Sequence, residues 1–400
     1  MKLVLALILL SSLFSCTSEP SLTGKWKIDI ELQGQKLPVL LDLVQNKNVV
    51  SGSLINSTEK IAMTGTVKDG QFSLEIGTNY ALINGSISKD KITGKWIRTN
   101  KKDFGQNFKG VKSFKESLFI SYEKKATLID ISGNWKIQLS EDNFGLGVFK
   151  QKGSRVQGSI LTSTGDYRYL DGYIEHGQVK LFGFDGVFSF ILDLKLSDSQ
   201  MNGMMFSGKS YNKQINAIRD ETFKLADPNT LTTLTDKKPF NLKLKDLDGN
   251  LIDFNGPNYK NKAKIVQLFG SWCPNCIDET RFFLNWRKEN MAKLNDIAFV
   301  AVSYENFDTL VKATKNLKKM QYKLKMDYPI ILGDFKSTKS VSKIFPIKKT
   351  VAFPTTFFLN KKNEIVKVHT GFSGQATGPF FDGFKVEFQD LVVKLINSEI

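Results

Sequence analysis

Polar and apolar residues alternate through much of the first half of the chain. Trp26-Lys27-Ile28-Asp29-Ile30-Glu31-Leu32 does so strictly, and Gln71-Phe72-Ser73-Leu74-Glu75-Ile76 repeats the pattern. A period of two puts every second side chain on one face, which predicts half-buried strands. Turn signals such as Asp69-Gly70 and Asn84-Gly85 separate the runs, at roughly the 8–12-residue spacing of all-β folds. The region also repeats itself. Gly24-Lys25-Trp26-Lys27-Ile28 recurs as Gly133-Asn134-Trp135-Lys136-Ile137, and Asp69-Gly70-Gln71 recurs as His176-Gly177-Gln178. Copies so far apart indicate duplication of a domain, not a solenoid period. The pattern predicts two β-rich units, residues 21–115 and 130–219, each an antiparallel meander of seven or eight strands closed as a barrel or packed as a sandwich. Trp26, Trp96 and Trp135 are read as core, and His176 as a turn residue with positive φ.

After residue 219 the pattern changes. Residues 220–238 lack periodicity and read as a linker. From 239 to 400 buried strands alternate with helices, the pattern of an α/β domain. Asn241–Phe254 forms a hairpin turning at Asp248-Gly249-Asn250. Lys264–Phe269 and Ile297–Ser303 are buried strands, and Asp308–Met320 is an amphipathic helix. Thr356–Leu359 and Ile365–His369 pair as a hairpin, and Phe384–Ile396 closes the domain.

The chemistry is concentrated in Gly270-Ser271-Trp272-Cys273-Pro274-Asn275-Cys276. A strand delivers two thiols to the start of a helix, where backbone N–H groups and the helix dipole stabilise a thiolate. Pro274 suits the first helical turn. Cys273 is therefore assigned as the attacking thiolate and Cys276, one turn in, as the resolving thiol. Trp272 shields the pair on one side. The chain has 3 cysteines and 2 histidines, and no second Cys pair to complete a four-ligand zinc site. No metal and no cofactor is expected beyond a redox-active Cys273–Cys276 disulfide. A purely structural disulfide across so short a loop would add little.

Together with Glu279 and the segment Phe353-Pro354-Thr355-Thr356-Phe357-Phe358-Leu359, this motif resembles the thioredoxin superfamily, and within it the TlpA/ResA-like thiol–disulfide oxidoreductases of bacteria. The resemblance covers about residues 239–400 and implies a thioredoxin-like domain. It also implies a cis peptide bond before Pro354. Trp272, Phe353, Pro354 and Thr355 would then form the substrate-binding surface, with the Phe353 backbone pairing with an incoming peptide. Two readings of Glu279 stand side by side: a proton acceptor for the buried thiol, and a solvated first-turn carboxylate. Asp278 is read as solvated. His369 is read as structural. The chain departs from the family pattern in having Thr280 where proline is common and Phe353 before the expected cis-proline.

Met1-Lys2 followed by the apolar run Leu3–Leu10 and Leu13-Phe14-Ser15-Cys16 resembles a bacterial lipoprotein signal. It implies a signal peptide over residues 1–16, with Cys16 as the lipidation site. The expected location is the cell envelope, lipid-anchored and facing the periplasm, where disulfides form. The net charge of +16 is spread over scattered lysines and is read as a solvated basic surface. No nucleic-acid motif accompanies it, so nucleic acid is not an expected partner.

The sequence thus predicts a multi-domain protein, a duplicated all-β region followed by a thioredoxin-like α/β domain. Its expected activity is a membrane-anchored thiol–disulfide oxidoreductase that reduces protein disulfides, supplied by an upstream membrane reductant. Its partners would be protein thiol or disulfide clients. The β-repeats would recognise clients or set the distance to the membrane. The alternative is a binding or assembly lipoprotein whose β-repeats carry the main function.

Overall fold

A computed structural model of the chain describes residues 20–77, 80–99, 104–113, 115–348 and 352–400. The leader and Cys16 lie outside the described residues.

Eight antiparallel strands form the first unit: β1 (Gly24–Leu32), β2 (Gln35–Asn46), β3 (Val49–Asn56), β4 (Glu59–Lys68), β5 (Gln71–Ile76), β6 (Ala81–Ser88), β7 (Lys91–Arg98) and β8 (Gly105–Ser113). Each pairs with its chain neighbour, and β8 pairs back onto β1 to close a barrel. Several of the turns are two-residue connections with positive φ, as at Gln33 (50°) with Gly34 (81°) and Asp69 (50°) with Gly70 (72°). Such turns match the right-handed twist of the strands. Asn84-Gly85, expected as a turn, lies in the middle of β6 instead. A Cβ on Gly85 would lie 2.3 Å from the Thr93 carbonyl oxygen and 2.8 Å from the Phe72 ring. The glycine is there for close strand approach, not for turning.

The second unit repeats the plan with β9 (Gly133–Ser140), β10 (Asn143–Lys152), β11 (Arg155–Thr162), β12 (Gly165–Asp166), β13 (Leu170–Glu175), β14 (Gln178–Phe184), β15 (Ser189–Ser197), β16 (Gln200–Ser207) and β17 (Tyr211–Arg219). Pairing of β17 with β9 and of β10 with β11 closes it into a second barrel. Trp26 donates its indole N–H to the Leu22 carbonyl at 2.8 Å, and Trp135 makes the equivalent bond to Ile131 at 3.0 Å. Both rings, like Trp96, are buried. His176 occupies its turn at φ 49°.

The copies diverge at one place. Where β4 is continuous, its counterpart is split into β12 and β13. Leu161 pairs with Asp166 and Gly158 with Leu170, so Ser159 and Ile160 face the three residues Tyr167, Arg168 and Tyr169. This is a β-bulge, a device that re-aims a side chain. Arg168 takes φ 58° there. The barrels share packing as well, since Phe184 and Ile191 of the second belong to the apolar core of the first.

The C-terminal domain begins with the short hairpin β18 (Lys243–Lys245) and β19 (Leu251–Asp253). Its sheet contains β20 (Ala263–Phe269), β21 (Ile297–Tyr304), β22 (Ile330–Asp334), β23 (Thr355–Leu359) and β24 (Ile365–Thr370), in the order β22-β21-β20-β23-β24. The first three are parallel, and β23 runs antiparallel to β20. Helices α1 (Pro274–Glu289), α2 (Leu310–Leu324) and α3 (Pro379–Asn397) pack around it. Pro379 starts α3 five residues before the expected position, and β22 was not anticipated. Residues 220–238 hold no helix or full strand, yet they are strapped to this domain. Thr370 N–H donates to the Pro228 carbonyl at 3.0 Å, and Leu234 bridges to Ile347.

Candidate active site

β20 is buried at every position and ends at Phe269. Gly270 makes the turn into α1, and a Cβ there would lie 2.4 Å from the Trp272 indole nitrogen. Cys273 is the N-cap of α1, with Pro274 in the first turn. Its Sγ accepts the Cys276 N–H at 3.4 Å and lies 3.5 Å from the Phe353 carbonyl oxygen, to which the thiol donates. Phe353–Pro354 is a cis peptide bond. Both thiols are free. Cys273 keeps slight exposure, at 8%, whereas Cys276 is completely buried. Burial first, and then the Cys273 sulfur, push the Cys276 thiol well above its ordinary pKa. Near neutral pH Cys276 therefore stays protonated and Cys273 is the exposed nucleophile.

The expected site residues converge here. Trp272 packs against Phe353, with ring centroids 5.5 Å apart, and donates its N–H to the Tyr304 carbonyl at 3.0 Å. Thr355 caps the cis-proline turn by donating to the Ala352 carbonyl at 2.9 Å. Glu279 is fully buried behind Cys276, so the solvated reading does not hold. Its carboxylate accepts from the Gln267 side-chain amide and the Thr356 hydroxyl, both at 2.9 Å. Burial raises its pKa to about 8. Thr280, at the position where proline is common, donates to the Gln267 side chain at 3.0 Å and so fixes the amide that holds Glu279. Asp278 is not simply solvated. It pairs with Arg281 at 3.2 Å and with Arg168 of the second barrel at 2.8 Å. His369 spends its Nδ1 on Asn229 at 3.0 Å, and burial lowers its pKa to about 4.

Several residues that shape the site were not foreseen. The bulge sends Arg168 into a nest of carboxylates. It pairs with Glu59 of the first barrel and Asp278 of α1, with Asp185 at 3.8 Å. Asp166 accepts the N–H groups of Arg168 at 2.7 Å and Gly374 at 2.6 Å, and burial raises its pKa to about 6. Gly165 meets the motif itself, since a Cβ there would lie 2.1 Å from the Asn275 amide nitrogen. On the other side Glu305, at the end of β21, accepts the Ser271 N–H at 2.9 Å and the Ser271 hydroxyl at 2.7 Å. Tyr80 of the first barrel joins that group, 2.6 Å from the Ser271 hydroxyl and 3.1 Å from Glu305. Both barrels thus grip the residues flanking the dithiol. One signal was present in the sequence: Gln267 interrupts an apolar strand.

Residues 230–378 match the Redoxin family model. That match falls on the sheet, the dithiol helix and the cis-proline just described. The C-terminal domain has a thioredoxin-like fold. Solved structures similar to the chain include a thioredoxin-family thiol:disulfide interchange protein from Chlorobium tepidum (18% identity, 40% of this chain and 99% of that one, TM-score 0.29). A thiol-disulfide oxidoreductase from Bacteroides fragilis is 14% identical over 37% of this chain and 99% of that one, with TM-score 0.28. The thioredoxin domain of a Bacteroides vulgatus thiol-disulfide oxidoreductase is 19% identical over 38% and 97%, with TM-score 0.28. No curated protein matches the chain. Among the described residues no cluster of His, Cys, Asp and Glu could hold a metal ion, and no helix is long and apolar enough to cross a membrane.

Proposed function

We propose that the protein is a thiol–disulfide oxidoreductase that reduces protein disulfides through Cys273 and Cys276. One observation carries this reading: an N-cap thiol, barely exposed and beside the carbonyl before a cis-proline, with a fully buried partner thiol one turn below. The Cys273 thiolate attacks one client sulfur, and the second client sulfur leaves with the electron pair. Cys276 then gives up its proton and attacks Cys273 Sγ. The client thiolate leaves, and the enzyme holds the new disulfide. Glu279, ionised at that moment, accepts the Cys276 proton. A membrane reductant would restore the dithiol.

The TlpA-like assignment, the lipid anchor at Cys16 and the periplasmic setting belong to the same proposal and rest on the sequence. Direct docking of both barrels onto the dithiol segment supports a joint role over a separate binding function for the repeats. Cys273→Ser is expected to abolish turnover, and full activity in that variant would overturn the reading. The reduction potential of the soluble chain sets the direction. A value near or below about −250 mV fits a reductase, and one near about −120 mV fits a disulfide donor.

A further inference from the structure

We propose that the mouth of the second barrel is a specificity pocket for an apolar side chain next to the client's cysteine; this rests on the oxidoreductase reading and names its substrate class. Above Cys273 lies a cavity of about 390 Å³. Its barrel wall is made by Phe188, Phe190, Met205 and Tyr211, at the ends of β14 to β17, and its other wall by Trp272 and Phe353. Cys273 lines the same cavity, so a disulfide delivered to it comes against these walls. The volume is at the lower end for a ligand site and suits a side chain or two of a polypeptide. Phe188 and Tyr211 are 41% and 52% exposed, although large apolar side chains are normally covered.

The charge at the rim selects further. Arg168, Asp166 and Asp185 also line the cavity, but their groups are already committed. One guanidinium serves Glu59, Asp185 and Asp278, and Asp166 is taken by two backbone N–H groups. Among the described residues that line the cavity, carboxylates outnumber the one cation, Arg168, and its guanidinium is already paired. Glutathione disulfide, with carboxylates at its ends, is disfavoured. A neutral segment with an aromatic or large aliphatic residue beside cysteine is favoured, because its burial replaces water on the exposed Phe188 and Tyr211 rings.

The test uses two peptides that differ only in Phe or Gly before a cysteine activated as its thionitrobenzoate mixed disulfide. Cys273 attacks the peptide sulfur, and thionitrobenzoate leaves as the coloured thiolate. Cys276 then displaces the peptide thiol, so two protein thiols are oxidised and one disulfide is reduced. With the full chain, the Phe peptide is expected to react at least about tenfold faster. In Phe188→Ser and in Tyr211→Ser, both at exposed positions, the ratio should fall toward unity. Equal rates in the unaltered protein, or an unchanged ratio in both variants, would overturn the pocket. Preference without turnover under excess dithiothreitol would overturn the oxidoreductase reading and leave the pocket. Turnover without preference would do the reverse, and no release from either peptide would overturn both.

Discussion

Glu279 shows how burial converts an ordinary residue into a poised one. Its folded pKa of about 8 lies above the ordinary carboxyl value of 4.5. Between those two values the folded state holds a proton that the unfolded state has lost. This group's contribution therefore favours folding below pH 4.5 and is lost as pH rises toward 8, by up to about 1.4 kcal/mol per pH unit. Glu279→Gln, which keeps an acceptor for Gln267 and Thr356, should flatten that loss. Guanidinium midpoints at pH 5 and pH 8 read it directly, and an equally steep decline in the variant would refute it. The kinetic sign is opposite. A proton acceptor must be ionised, so release of a Cys273-linked peptide by Cys276 should quicken as pH rises through about 8. Glu279→Gln should slow that release by roughly 10²-fold, read by stopped-flow, with the rise near pH 8 abolished.

Among elements, the turn between β14 and β15 holds the two barrels together. Gly186 has φ 91°, its carbonyl accepts the Trp96 indole N–H at 2.7 Å, and a Cβ would lie 2.6 Å from Ile76 Cγ2. Gly186→Ala thus combines left-handed strain with a clash against a neighbouring core. Gly208, at φ 55°, has nothing nearer than 3.9 Å to its missing Cβ. Gly208→Ala should cost about 1–2 kcal/mol from strain alone, and Gly186→Ala about 1–3 kcal/mol more, as compared by thermal melts. Equal losses would mean that the barrels do not depend on that contact. The bulge between β12 and β13 belongs to this scale too. It was illegible because the alternation of Asp166-Tyr167-Arg168-Tyr169 is nearly that of a plain strand. Only the partner strand, two residues against three, reveals the extra residue. The turn expected at Asn84-Gly85 erred for a related reason: the dipeptide suits a turn, and the ring of Phe72 across the sheet required glycine instead.

For the whole molecule, Arg168 is the point where both barrels and α1 meet. Removing its charge leaves Asp185 buried without its cation and takes a partner from the half-buried Glu59 and Asp278, the latter keeping Arg281. Such losses cost about 3–5 kcal/mol. Arg168→Met should uncouple the redox domain from the barrels, so that calorimetry shows two separated transitions where the unaltered chain shows coupled ones. Cleavage within residues 220–238 should quicken at the same time, since that strap lies against the redox domain. An unchanged melting profile would show that docking rests on apolar contacts alone. Tyr80, reaching Ser271 and Glu305 from the first barrel, is the second tie.

The sequence by itself determined what depends on neighbours along the chain. Alternation set the strands, and duplicated turns set the repeat. The spacing of Cys273 and Cys276 at a helix start marked the dithiol, because the N-cap position and its hydrogen bond are local. Tertiary structure decided what depends on distant partners. Glu279 could be solvated or buried until Gln267 and Thr356 closed over it. Asp278 looked like a surface carboxylate until Arg168 arrived from more than a hundred residues away. Charge state, burial and the shape of the pocket over Cys273 are set by groups that meet only when three domains pack, and no period or motif along the chain encodes that meeting.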